Sequence, residues 1–295
     1  IAPVQLDIGE ILKKFKHSLD ITYANIGVCG PSTVIRYIDF PLMNREEMKQ
    51  ALKFEAQKHI PFSLNEVNID GHILKENPAD SRMLILVAAV KKDLIASRLK
   101  LMNEGQIKVG LIDIDSLALI NAFNYNYAKD EDIKNKAVGL LNMGATLSSL
   151  NILENGIPRL SRDIHLAGNH FTQKLVDAFG VDFKTAEELK LNPESDRRQK
   201  VDATMEAVLT NLSSEVRVSF DYYESQSTSS VSKIFLSGGG SRFSGLKEML
   251  STLLGIEVQH WDPLRQMAVS RDVDSEKLKS LSQQFSVAVG LALRE

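Results

Sequence analysis

Gly238-Gly239-Gly240 follows the apolar run Ile234-Phe235-Leu236 and leads into Ser241-Arg242-Phe243-Ser244-Gly245-Leu246. Chain without Cβ atoms can come very close to a ligand. A strand that ends in such a turn and feeds a helix can turn backbone N–H groups toward a polar or anionic group. The alternative is a tight strand-to-helix connection that holds nothing, and a lone glycine cluster leaves the two evenly matched. Elsewhere, Glu187 and Lys190 share one helix face at a three-residue spacing, ordinarily the mark of a solvated ion pair. Gly144 alone reads as a hairpin glycine, and Gly168 as a glycine at a helix start.

Other chemistry is poorly served. His165 and His170 are five apart and miss a common helix face, and no Cys or His pair has ligand spacing, so no metal site is expected. Asp163 and His165 lack a nucleophile elbow. Cys29 lies in a turn without an obvious base and reads as a buried or bystander thiol. As the single cysteine it excludes an internal disulfide. Lys13, Lys14 and Lys16 form a solvated helix face, and a net charge of −3 offers no stripe for nucleic acid. With 43% hydrophobic and 25% charged residues in 295, the chain is of ordinary globular type, with room for two modest domains. The longest apolar run, Met83 to Val90, is strand-sized, so no membrane insertion is expected. No signal peptide is visible. A first residue of Ile1 rather than Met leads to the expectation of a fragment or a trimmed start.

The elements that must position these residues alternate between helix and strand. Ile8, Ile11, Leu12, Phe15 and Leu19 recur at helical spacing. Strands are predicted over 21–28 and 33–40, and a helix over 44–59 with Asn44 as its N-cap. Strands over 67–74, 83–90 and 108–113 enclose a helix over 93–103, so this stretch is a small α/β unit in its own right. A helix over 116–127 precedes a hairpin of 137–141 and 147–153 through Asn142-Met143-Gly144-Ala145, then a strand over 158–164. Helices are predicted over 168–179, 184–190, 202–225 and 245–254, with a charged connection over 272–281 and a closing helix over 285–294.

The order LLNMGATLSSLNILENG, RDIHLAGNHFTQKL, TAEELK, IFLSGGGSRFSGL, FSVAVGLAL resembles the actin-like ATPase superfamily. The segments IDFPLMNREEMKQALKFEAQKHIPFSLNEVNIDGHIL and GLIDIDSLALINAF extend the resemblance to the PilM family of type IV pilus assembly and its relative FtsA. It covers about Ile21 to Arg294. It implies an α/β, actin-like (ribonuclease-H-like) two-lobed fold. The first lobe would hold 1–40, 109–137 and 285–295, an inserted α/β subdomain 41–108, and the second lobe 138–284. It implies a nucleotide, ATP with Mg. Backbone N–H groups of Asn142, Gly144, Ala145 and Thr146 would form the second phosphate hairpin, an anion nest. Gly168 follows in the family's order. Glu187 and Lys190 would lie near ribose and base, and Gly238, Gly239, Gly240 and Arg242 would form the adenosine turn.

Two departures bear on activity. Chains of that family carry a strand, an Asp-Ile-Gly-Ser-Ser turn and a second strand upstream of the segment matching Ile21. Here Leu6-Asp7-Ile8-Gly9-Glu10 is followed by helical spacing, so the expectation is that the N-terminal strands of the first lobe, and with them the first phosphate hairpin, are missing. Asn142 stands where the family usually has Asp and cannot act as a base. Asp115 matches an acidic position and is the remaining candidate for polarising water, though it equally reads as a plain helix cap. Efficient hydrolysis is not expected, since phosphoryl transfer needs several positioned charges together.

The resemblance also implies a groove beside the inserted subdomain for an N-terminal peptide of a PilN-type inner-membrane protein. Phe40, Leu42, Phe54, Ile60 and Phe62 are candidates to line it, with ordinary core positions as the plainer reading for most. The implied role is a cytoplasmic scaffold, peripheral at the inner membrane through its partners, linked to pilus ATPase motor components and compatible with a homo-oligomer. The alternatives are a polymerising ATPase of FtsA type and the actin-like cytoplasmic domain of a type II secretion protein.

Overall fold

A computed structural model describes residues 7–294. By its contacts the chain divides after Leu117 into two compact units, the second running Ala118–Leu293, with Arg294 belonging to the first.

In chain order the first unit carries α1 (Ile8–Leu19), β1 (Tyr23–Val28), β2 (Thr33–Pro41), α2 (Arg45–His59), β3 (Val67–Asn77), β4 (Arg82–Lys91), α3 (Lys92–Glu104) and β5 (Lys108–Ile114). The Asp7 carboxylate accepts a hydrogen bond from the Glu10 amide at 3.1 Å, so Asp7 caps a helix, as the helical period requires. The upstream part of that reading lies outside the described residues. β1 and β5 pair in parallel. β2, β4 and β3 form an antiparallel sheet with β4 in the middle. β2, expected in the first lobe, thus pairs with β4, which lies in the stretch 41–108.

The central strand β4 is buried on both faces, which explains its continuous apolar run. Met48, Leu52 and Ala56 of α2 pack with Phe40, Met83, Ile85 and Val87. Leu94 and Ile95 of α3 pack against Val28, Ile35, Leu86, Val90 and Ile114. α2 begins with a capping box: Asn44 accepts from the Glu46 and Glu47 amides, and Glu47 accepts from the Asn44 amide.

α4 (Asp115–Tyr127) crosses the division of the chain. The second unit continues with β6 (Ala137–Met143), β7 (Ser148–Glu154), β8 (Ile157–Ile164), α5 (Gly168–Phe179), α6 (Phe183–Leu191), α7 (Arg198–Glu224), β9 (Val231–Ser237), α8 (Leu246–Leu254), β10 (Glu257–His260), α9 (Ser275–Leu281) and α10 (Ser286–Ala292). Its sheet has the order β10-β9-β6-β7-β8, with β6, β9 and β10 parallel and the β6-β7-β8 meander antiparallel. Leu141, Met143, Leu150, Ile152, Ile234 and Leu236 share one buried cluster with Phe171 and Leu175 of α5 and Met205, Leu209, Leu212 and Val216 of α7. Strand alternation puts Leu140, Asn142 and Ser237 on the opposite face.

Two readings change. The charged stretch over 272–281 is not simply a connection: Asp274 accepts from the Lys277 amide at 3.0 Å and opens α9. Four residues after Gly255 form β10 on the sheet edge, where no strand is predicted.

Candidate functional site

β6 and β9 are adjacent and parallel, with Asn142 in register with Ser237. Their carboxyl ends lie side by side, the place where open α/β sheets gather ligands. A glycine-bearing turn follows each strand. Gly238 has φ +87°, and a Cβ there would sit 2.3 Å from the Met143 carbonyl oxygen. A Cβ on Gly240 would sit 2.6 Å from the Gly144 carbonyl oxygen, and one on Gly168 would be 3.2 Å from that oxygen and 3.3 Å from the Gly240 Cα. Gly239 differs, since its nearest neighbour would be Gln284 at 3.6 Å. Gly144, Gly168, Gly238 and Gly240 thus bring three backbone segments into contact. The missing side chains make room first for the protein's own backbone.

The run does not feed a helix directly. Gly239–Arg242 forms a single 3-10 turn, and α8 begins only after Gly245 in the left-handed region. Ser241 Oγ donates to the Gly238 carbonyl at 2.8 Å, and His260 Nε2 lies 2.9 Å from the Ser241 carbonyl. Arg242 is half-buried and, among the described residues, its guanidinium makes no hydrogen bond or ion pair.

α5 spends its first donors inside the protein. Gly168 N–H donates to Gly144 at 3.0 Å, Asn169 N–H to Ala145 at 2.8 Å, and His170 N–H to Ala167 at 2.9 Å. No anion site remains at that helix start. In the hairpin turn Gly144 N–H donates to Leu147 at 3.0 Å. Ala145 and Thr146 are exposed, and among the described residues their N–H groups have no acceptor. These two amides are the donors the turn could offer an anion.

Lys190 is 4% exposed, so the pair with Glu187 is not a solvated one. Its ammonium donates to the Gly168 carbonyl at 3.2 Å, to Thr172 Oγ1 at 2.7 Å and to Glu187 Oε1. Thr172 Oγ1 also contacts Gly168 O and Glu187 Oε1. An ammonium has three hydrogens, and all three are used. Glu187 keeps its second carboxylate oxygen without a partner among the described residues.

Asn142 Oδ1 accepts from Ser237 Oγ at 3.1 Å, with Ser286 Oγ at 3.4 Å. Asn142 therefore ties β6 to β9 and to the start of α10. Thr172, Ser237 and Ser286 escaped the sequence reading. Their only signals were a Thr one turn into α5, a Ser at the end of a strand and a Ser opening the last helix.

Asp115 belongs to the first unit. Burial pushes its carboxyl above the ordinary range, opposed by a hydrogen bond with the Cys29 thiol and the Arg98 charge, with Asp113 adding repulsion. Burial likewise raises Asp113, whose opposing charge is Arg294, ion-paired to it at 3.2 Å. Of the proposed peptide residues, Phe40 and Ile60 are core positions, Leu42 and Phe54 are exposed, and Phe62 is half-buried with the Lys91 ammonium 4.7 Å above its ring.

The groups left open to a ligand here are the two hairpin amides, the second Glu187 oxygen and the Arg242 guanidinium. Asn142 is neutral and brings no charge to a magnesium ion, and among the described residues no group of three or more His, Cys, Asp or Glu could hold a metal ion by itself. No helix among them is long and apolar enough to cross a membrane.

The family described as Type IV pilus assembly protein PilM matches residues 2–295. Among solved structures, the chain is similar to one reported as the PilM-PilN type IV pilus biogenesis complex. There it is 26% identical with a TM-score of 0.85, over 97% of this chain and 84% of that one. The ethanolamine utilization protein EutJ from Carboxydothermus hydrogenoformans is 16% identical with a TM-score of 0.51, over 69% of this chain and 61% of its own, a likeness of fold.

Proposed function

Because this chain belongs to the Type IV pilus assembly protein PilM family, we propose that it is a docking scaffold of pilus assembly that receives an N-terminal peptide of a PilN-type inner-membrane protein. The observation that carries this reading is the similarity, along nearly the whole chain, to the protein in the PilM-PilN complex. Its fold is the mixed α/β fold of PilM and its actin-like neighbours. The scaffold works on the cytoplasmic side, held at the inner membrane through this partner, and links it to the pilus motor. Leu42, Phe54 and Phe62 are the accessible members of the apolar set and would contact the peptide, while Phe40 and Ile60 hold the subdomain core beneath them.

Nucleotide is a weak or structural ligand in this reading. Ala145 and Thr146 amides would face phosphate, and Glu187 and Arg242 the adenosine. No hydrolytic step is assigned, since Asn142 lacks the charge and basicity that an Asp would bring. The FtsA-type ATPase and type II secretion readings have no observation of their own in their favour.

Anisotropy of a labelled peptide from the cytoplasmic terminus of a PilN-type protein tests the docking surface. Leu42→Asp and Phe54→Asp should weaken binding by about tenfold or more, since each would bury a charge against an apolar peptide. Wild-type affinity in both, with unchanged circular dichroism, would move the peptide elsewhere.

A further inference from the structure

The resemblance assigns Lys190 to ligand contact, yet its ammonium has no hydrogen left for a ligand. We propose instead that Lys190, together with Thr172, is a positioning residue that holds the phosphate hairpin in place from the adenosine side. The connection is continuous. Lys190 Nζ donates to the Gly168 carbonyl at 3.2 Å and to Thr172 Oγ1 at 2.7 Å, and Thr172 lies one turn further along α5. The N–H of the same Gly168 donates to the Gly144 carbonyl at 3.0 Å, and the next amide, Asn169, to the Ala145 carbonyl at 2.8 Å. Gly168 is thus gripped on its carbonyl by α6 and on its N–H by the turn between β6 and β7.

The contact leaves no slack. A Cβ on Gly168 would already be 3.2 Å from the Gly144 oxygen. The grip also fixes which groups face outward. With the Gly144 and Ala145 carbonyls drawn toward α5, the Ala145 and Thr146 amides remain without acceptors at an exposed turn. A buried ammonium is retained here because it is fully paired and hydrogen-bonded. Removing it would leave the Thr172 hydroxyl, which is completely buried, without its donor and the Gly168 carbonyl with one donor fewer. Glu187, half-exposed through its other oxygen, is where the nucleoside end of a ligand would touch the same chain of bonds. This functional meaning rests on the nucleotide reading above, whereas the positioning itself does not.

The test is amide hydrogen exchange and ¹H–¹⁵N chemical shifts in the whole, ligand-free protein. Lys190→Met should speed exchange at Gly168 and Asn169 by about tenfold relative to the interior of α7 and shift the Ala145 and Thr146 resonances. Thr172→Val should act in the same direction, and Thr172→Ser should restore wild-type behaviour because it keeps the hydroxyl. If Lys190→Met does not fold, the two Thr172 variants decide alone. Wild-type exchange at Gly168 and Asn169 in folded Thr172→Val would overturn the proposal. So would uniform acceleration throughout α5 and α6 with unmoved hairpin resonances, the mark of a merely stabilising role. Failure of ATP to bind would sink the nucleotide reading and leave these results intact.

Discussion

A side chain on Gly238 would drive its Cβ to 2.3 Å from the carbonyl oxygen of Met143, at the point where β9 and β6 end together. Gly238 also has φ +87°, a region that side chains disfavour. Gly238→Ala should therefore destabilise the second unit by about 3 kcal/mol or more, combining backbone strain and overpacking. Gly239→Ala, with its nearest neighbour 3.6 Å away, should stay within about 1 kcal/mol. Urea denaturation of both variants checks the contrast. Equal, small losses would mean that the knot is looser than the geometry says.

ATP titration by calorimetry should give weak binding, with Kd well above about 1 μM, the level that corresponds to about −8 kcal/mol. Few charge-assisted donors remain free at the turn, and Lys190 is committed internally. Asn142→Asp should not create phosphate release, because Oδ1 at this position is already engaged by Ser237 and, among the described residues, no carboxylate cluster supports a metal. Measurable turnover would show that the turn recruits an activating charge from elsewhere.

Much of this arrangement was legible in the sequence, and the exceptions share a cause. Helical spacing from Ile8 to Leu19 was enough to reject a turn at Asp7-Ile8-Gly9, and Asp7 does cap α1. The apolar run of β4 and the N-cap Asn44 were likewise local signals. Glu187 and Lys190 were visible as a pair on one helix face. Their burial was not, because the acceptors Gly168 and Thr172 come from another helix, and burial is a property of packing. β10 has four residues and draws its structure from pairing with β9. α9 was hidden by its charges, which suit an exposed helix as well as a loop. The glycine run announced close approach but not to what; only the positions of the Met143 and Gly144 carbonyls answer that.

Asp115 gives a pH dependence of definite sign. Burial lifts its folded value above the ordinary 3.8, so the folded state keeps the proton after the unfolded state has released it. Stability contributed by this group is full below the ordinary value and is lost as pH rises through the raised one. Asp115→Asn should remove that loss. The stability of the wild type relative to the variant should fall in urea melts as pH rises above the ordinary carboxylate value. A relative stability that rises with pH would mean that the Cys29 and Arg98 interactions outweigh burial.

The cap of α2 offers a local check on the region proposed to dock the peptide. Asn44→Ala removes two hydrogen bonds to the Glu46 and Glu47 amides and should cost about 1 kcal/mol. Peptide binding should survive, since Leu42 and Phe54 keep their exposure. A loss of binding with the fold intact would place the N-terminal end of α2 in the contact surface.

The central claim is that this chain is a docking protein for a PilN-type peptide. Its most direct test is the melting temperature of the protein titrated with a synthetic peptide from the cytoplasmic terminus of such a partner. Specific binding to the folded state predicts a rise that grows with the logarithm of peptide concentration, worth about 2.7 kcal/mol at one hundred times Kd. A scrambled peptide should produce none. An unmoved melting temperature at millimolar peptide, with the protein folded, would contradict the account.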